Sequence, residues 1–194
     1  MLFRSDSGAA LIVEVDGTAA ATDEEIARVE EACRSAGATD IRRAGDDAER
    51  DEIWLMRREL SAALKNISPV KLNNDVVVPR GRVPELFTLV ETIRREANLP
   101  IACFGHAGDG NIHVNIMADR YNRDDAVREK VEHALDDLFA QVLAWGGVIT
   151  GEHGIGLAKK RWWPEATSQA VRDVHRRLKQ ILDPNDILNP GKFV

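Results

Sequence analysis

A chain of 194 residues, 44% hydrophobic and 30% charged, has enough apolar side chains for a real core and the surface of an ordinary globular protein. Its formal net charge of -6 offers no basic footprint for nucleic acid. Two cysteines, Cys33 and Cys103, make neither a Cys-x-x-Cys pair nor a disulfide framework; no apolar run approaches the about 18 residues of a membrane span, and Met1-Leu2-Phe3-Arg4-Ser5-Asp6 lacks a signal-peptide shape, so a cytoplasmic location is the default expectation.

In chain order, residues 9–15 (Ala-Ala-Leu-Ile-Val-Glu-Val) read as a buried strand ended by the Asp16-Gly17 turn. Thr22, with Glu25 three residues later, has the spacing of a capping box, and Ile26, Val29, Ala32 and Cys33 mark a helical stripe that ends near Gly37. Residues 39–44 form a second, short strand candidate. A helix over 47–64 follows, with Ile53, Trp54, Met56, Leu60, Ala63 and Leu64 as its buried face, and Ser68-Pro69 breaks it. Residues 75–79 are a third strand, stopped by Pro79. Val83-Pro84-Glu85 opens a helix with proline in its first turn and a stripe at Leu86, Leu89, Val90 and Ile93.

The apolar run 101–104 and the alternating run 112–117 flank Gly108-Asp109-Gly110-Asn111, a strong turn signal, and together predict a hairpin. A helix over 123–145 has its stripe at Val127, Val131, Leu135, Leu138, Phe139 and Val142. Val148-Ile149 is a short apolar strand, and a last helix spans 168–182. The tail 183–192 carries two prolines and a glycine, so it is not a regular helix; it reads as ordered, with Ile187, Leu188 and Phe193 still to be buried. The basic clusters, among them Arg57-Arg58, Lys159-Lys160-Arg161 and Arg176-Arg177, read mostly as solvated helix faces. The same reading makes the tryptophans, at helical spacing, core residues and leaves His133 and His175 facing solvent.

This order predicts an α+β fold of ferredoxin-like type, a mostly antiparallel sheet with helices packed on one face and a C-terminal helical tail. No Gly-x-Gly-x-x-Gly follows a strand, so no dinucleotide fingerprint is present.

The chemistry concentrates in two glycine-rich stretches, residues 104–115 and 151–156. A hairpin brings His106 and His113 close on one face, and Asn115, two residues from His113, points the same way. Two imidazoles are half of a metal site. Glu152, in the turn Gly151-Glu152-His153-Gly154, is the candidate third ligand, and a set of two histidines and a carboxylate leaves coordination positions open for catalysis. His153, adjacent and unligated, is placed as a general base. A chance hairpin also produces a His-x6-His spacing; the glycine-flanked Glu152-His153 pair weighs for a site, as do Gly105, Gly108, Gly151 and Gly154, expected where the backbone turns sharply or approaches a ligand.

With His106-Ala-Gly-Asp-Gly-Asn-Ile-His113, Gly151-Glu-His-Gly-Ile-Gly156 and Ile187-Leu-Asn-Pro-Gly-Lys192 in place, nearly the whole chain resembles the C-terminal part of the FAD-linked oxidases of the vanillyl-alcohol oxidase/PCMH superfamily. The group resembled is the glycolate oxidase D subunit and the D-lactate and D-2-hydroxyglutarate dehydrogenases. The resemblance implies a cap or substrate domain over residues 1–194. In it, His106, His113 and Glu152 hold a divalent metal (zinc, manganese or iron), and the metal binds the α-hydroxyl and carboxylate of a small 2-hydroxyacid. His153 takes the hydroxyl proton as hydride leaves for FAD.

By the same resemblance Asn115 and Arg57 bind the substrate carboxylate, Ser61, one helical turn from Arg57 and facing the same way, is a further substrate-binding residue, Asn189 lies in a tail motif that returns toward the flavin, and Lys71 and Asn73 lie near where some members carry a substrate-binding lysine. Those relatives carry an FAD-binding domain ahead of this region with no counterpart in this sequence. A separate FAD-binding domain or subunit is therefore an expected partner, an electron-acceptor subunit a further one, and the chain alone is expected to bind metal without turnover. Two other readings stand beside this one: a stand-alone module binding metal and hydroxyacid without redox, and a hydrolase using metal-bound water, for which no further oxyanion donors are evident.

Overall fold

The computed structural model describes residues 8–192, which form two compact units divided between Ala63 and Leu64. Phe193, and the residues before Ser7 that bear on a signal peptide, lie outside the described residues.

The first unit holds two helices, α1 (Ala19–Ser35) and α2 (Asp47–Ala63). α1 starts ahead of Thr22, whose hydroxyl donates back to the carbonyl of Ala19 (3.0 Å), so the expected capping box does not form. Neither helix buries a residue fully; the expected buried face of α2 is at most half-buried, and Leu60 is 43% exposed. The strands expected over 9–15 and 39–44 are not present: both segments are irregular, and Leu11 and Val13 are exposed. Apolar composition supplies strand propensity, but a strand exists only through a hydrogen-bonded neighbour, and neither segment has a ladder partner among the described residues. Instead Arg42 pairs with Glu52 (3.1 Å) and Arg43 with Asp23 (2.6 Å), which pins the connection between the helices within the unit.

The second unit carries β1 (Lys71–Val77), α3 (Val83–Ala97), β2 (Ile101–His106), β3 (Asn111–Met117) and α4 (Asp125–Ala144), followed by a four-residue α5 (Trp163–Ala166) and α6 (Gln169–Leu182). The sheet is antiparallel in the order β1-β3-β2. Val148 adds a single antiparallel bridge to Val77, outside β1. The frame is therefore β-α-β-β-α-β in spatial order four-one-three-two, the expected ferredoxin-like α+β arrangement with its fourth strand reduced to one bridge.

Alternation gives the sheet two unlike faces. Val76, Ile112, Val114 and Ile116 join Leu86, Val90 and Ile93 of α3 and Val131, Leu135, Leu138, Phe139 and Val142 of α4 in one apolar core. Asp124 caps α4, accepting from the amides of Ala126 and Val127. Trp162 is buried and meets Phe139 edge-on at 4.8 Å, while its Nε1 donates to Asp136 (2.7 Å). The other face carries Asn73, Asp75, Asn111, His113 and Asn115.

Three expectations about the C-terminal third are corrected. Lys159 is not solvated but 3% exposed. His175 is half-buried with its ring edge-on to Trp163 at 5.4 Å, because α6 turns that side toward α5. Ile187 and Leu188 are exposed; the tail is ordered by polar contacts, the buried Asp183 carboxylate accepting from the amides of Ile187 (3.0 Å) and Leu188 (2.9 Å). No helix among the described residues is long and apolar enough to cross a membrane.

Candidate metal centre on the polar sheet face

The hairpin turn begins at the carbonyl of His106, which accepts from the amide of Gly110 (3.0 Å), and Asp109 accepts from the amide of Asn111 (2.9 Å) in an Asx turn. This fixes the register: His106 lies opposite Asn111, and Phe104 opposite His113. His106, Asn111, His113 and Asn115 consequently share the polar face.

Glu152 reaches that face from the loop after Val148. Gly151 lets the backbone pass close to it: a Cβ there would stand 2.8 Å from Val77 Cγ2 and 2.9 Å from Asn111 Nδ2 and would displace those side chains. Asn111 Nδ2 donates to Glu152 Oε1 (2.8 Å), and the other oxygen lies 4.0 Å from His113 Nε2. One ligand atom from each of His106, His113 and Glu152 falls within 4.8 Å of the others, so the three residues named from sequence converge. The His153 ring follows, its centroid 5.4 Å from that of His113.

The donor set suits a divalent metal. Two imidazoles and a carboxylate are ligands that zinc, manganese and iron all accept. Burial pushes the pKa of His113 down, with the Glu152 charge pulling partly the other way, which favours the neutral, ligating imidazole. Four buried polar atoms lack a hydrogen-bond partner among the described residues: Oδ1 of Asn73, Asn111 and Asn115, and Nδ1 of His113. All four belong to side chains on this one face, so the unsatisfied polarity of the unit gathers where a ligand would be received.

Asn115 is fully buried, with its Oδ1 unpartnered among the described residues. Its Nδ2 donates to the carbonyls of Ala102 (3.2 Å) and His113 (3.1 Å), and flipping the amide would set its oxygen against both. Asn73 stands directly opposite Asn115 in the ladder. Arg57 and Ser61 lie four residues apart on α2 in the first unit, Arg57 half-buried and Ser61 exposed. Asn189 belongs to the tail turn rather than to the sheet, with positive φ (50°) and its carbonyl accepting from the amide of Lys192 (3.3 Å).

The pattern reading missed the centre of this arrangement. Asp75, opposite His113 and 0% exposed, accepts from the amides of Gly151 (2.9 Å), Glu152 (2.6 Å) and His153 (2.9 Å), from the Thr150 hydroxyl (3.0 Å), and from Lys159 Nζ. Burial alone would raise its pKa; Lys159 and the amides of Glu152 and His153 more than reverse that, and the carboxyl titrates well below the ordinary range. The signal available in sequence was a lone carboxylate beside Val76-Val77-Val78, which demands a buried cation somewhere.

The family profile described as "FAD linked oxidases, C-terminal domain" matches residues 1–193. The glycolate oxidase subunit GlcD of Bacillus subtilis is 32% identical over 185 residues, covering 95% of this chain and 39% of that protein. A D-lactate dehydrogenase of Anaerostipes hadrus is 32% identical over 190 residues, 97% of this chain and 40% of that protein. A D-2-hydroxyglutarate dehydrogenase of Stutzerimonas stutzeri is 32% identical over 143 residues, 73% of this chain and 30% of that protein. The chain thus spans at most about two fifths of the length of these relatives. With a match across nearly its whole length and three separate motifs in order, this chain belongs to the C-terminal domain family of the FAD-linked oxidases.

Proposed function

We propose that this chain is the metal-bearing substrate domain of a flavin-dependent dehydrogenase that oxidises a small 2-hydroxyacid of the glycolate or D-lactate type to the 2-oxoacid. The observation that carries the reading is the convergence of His106, His113 and Glu152, with His153 beside them, on the sheet face that also holds the unpartnered polar atoms. The relatives are named for glycolate, D-lactate and D-2-hydroxyglutarate, which supports the substrate class.

In this reading His106, His113 and Glu152 would hold zinc, manganese or iron, and a bound ion would supply Lewis acidity toward an α-hydroxyl, as it does toward water. FAD, held by a domain or subunit beyond this chain, supplies the hydride acceptor, with an electron acceptor beyond it. The rest falls to residues of the chain. Asn115, whose Nδ2 is taken by two carbonyls, has a free acceptor in its buried Oδ1 for a substrate donor that reaches this face. His153 receives the hydroxyl proton, so the hydrogen at Cα leaves as hydride and a carbonyl remains. Arg57, one turn before Ser61 on α2 of the first unit, has the guanidinium fork that suits a carboxylate. Asn189 keeps its place in the tail motif that returns toward the flavin.

The test is calorimetric titration of the chain with D-lactate and glycolate, with and without bound zinc or manganese. Binding that requires the metal and disappears in Asn115→Leu supports the reading. Equal hydroxyacid binding with and without metal would refute it. Dye reduction restored by adding a flavin-bearing domain separates an enzyme part from a module that only binds.

A further inference from the structure

We infer that Asp75 is a positioning residue for the proposed reaction: its buried carboxylate shapes the Thr150–Gly154 turn so that Glu152 faces the two histidines, and its negative charge, facing Nδ1 of His153, favours the proton there and leaves the lone pair on Nε2.

The turn has no regular secondary structure to hold it. Residues 150–154 lie in neither helix nor strand, yet they carry both the third ligand and the base. Beside one backbone bond, from the Gly151 amide to the Asp75 carbonyl (3.1 Å), the contacts that hold them converge on one side chain of β1. Asp75 Oδ2 gathers three consecutive amides, those of Gly151, Glu152 and His153. The Thr150 hydroxyl donates to Asp75 and accepts from the amide of Gly154 (2.9 Å), which closes the turn on itself. Consecutive amides converging on one anion set the backbone angles of the residues between them, a nest built around an internal carboxylate. From that backbone, Glu152 meets Asn111.

The second consequence concerns the base. Asp75 Oδ1 lies 3.4 Å from His153 Nδ1. A carboxylate facing one ring nitrogen favours the tautomer with the proton there and leaves the other nitrogen as the acceptor, as in other carboxylate–histidine pairs. Asp75 is not itself a ligand. Lys159, the hydroxyl and the amides occupy its oxygens, and no part of it reaches solvent. Lys159, 84 residues away in sequence, keeps the charge in place inside the unit.

The inference rests on the reading that Glu152 ligates and His153 accepts the proton, and the experiment separates the two. Wild-type chain, Asp75→Asn and the charge-neutral pair Asp75→Asn/Lys159→Met are compared by zinc competition titration and by 15N NMR of the histidine rings. The double variant removes both buried charges, so the unit need not bury an unpaired one. Wild-type His153 is expected as the Nδ1–H tautomer. The variants are expected to lose about 10- to 100-fold in zinc affinity, and their His153 to become a mixture of tautomers. Wild type that binds no zinc sinks the metal reading, while the tautomer still tests Asp75. Zinc binding by wild type with unchanged affinity and unchanged tautomer in the folded double variant overturns the role of Asp75 alone. An Nε2–H tautomer in wild type overturns it even if no variant folds.

Discussion

Replacing Gly105 by alanine tests whether β2 approaches β3 as closely as the site requires. Gly105 pairs with Ile112, and a Cβ added to it would stand 2.2 Å from the carbonyl oxygen of Asn111 and 2.8 Å from Ile112 Cα. Both are backbone atoms and cannot rotate away. The end of β2 must therefore lift off β3, and the pairing of His106 with Asn111 goes with it. Overpacking costs about 1–3 kcal/mol, and each lost backbone hydrogen bond costs about 1 kcal/mol. The sum is roughly 2–4 kcal/mol. Gly108, two residues into the same turn, has nothing within 4 Å of its would-be Cβ, so Gly108→Ala should stay within about 0.5 kcal/mol of wild type. The assay is urea unfolding followed by circular dichroism, with zinc titration of the folded variants, where displacement of His106 should weaken binding about 10-fold. Equal unfolding midpoints and equal zinc affinity for Gly105→Ala and Gly108→Ala would refute the strand geometry.

Asn111→Ala removes the amide that braces Glu152 at 2.8 Å, and zinc affinity should fall about 10- to 100-fold with little loss of stability; unchanged affinity would mean the brace is idle. The metal-free protein should lose stability on acidification in two windows. The folded pKa of His113 lies below its ordinary 6.5, so just below pH 6.5 the unfolded chain binds the extra proton and stability rises with pH; a His113→Asn variant should lack this slope in urea midpoints measured from pH 7 to 5. Asp75, depressed in the folded state, contributes stability that is complete above its ordinary value of 3.8 and is lost as pH falls from there toward the folded value, a step that Asp75→Asn/Lys159→Met should not show.

What was legible in the sequence was local. The Gly108–Asn111 turn between an apolar run and an alternating run specified the hairpin, and with it the shared face of His106, His113 and Asn115. The stripes read for α3 and α4 do face the core, where each helix has the sheet to pack against. What failed needed a partner that pattern cannot name. Residues 9–15 and 39–44 have strand-like composition without a ladder neighbour. The pairing of Asp75 with Lys159 spans 84 positions and joins a strand residue to a lysine that sits in a basic run resembling a solvated surface.

The central claim is that His106, His113 and Glu152 bind one cation together. Calorimetric titration of the metal-free chain with zinc and manganese, beside His106→Ala and Glu152→Ala, tests it most directly. The account predicts one ion per wild-type chain and at least about a 10-fold loss of affinity in each variant. Equal binding by all three proteins, or none by the wild type, would contradict it.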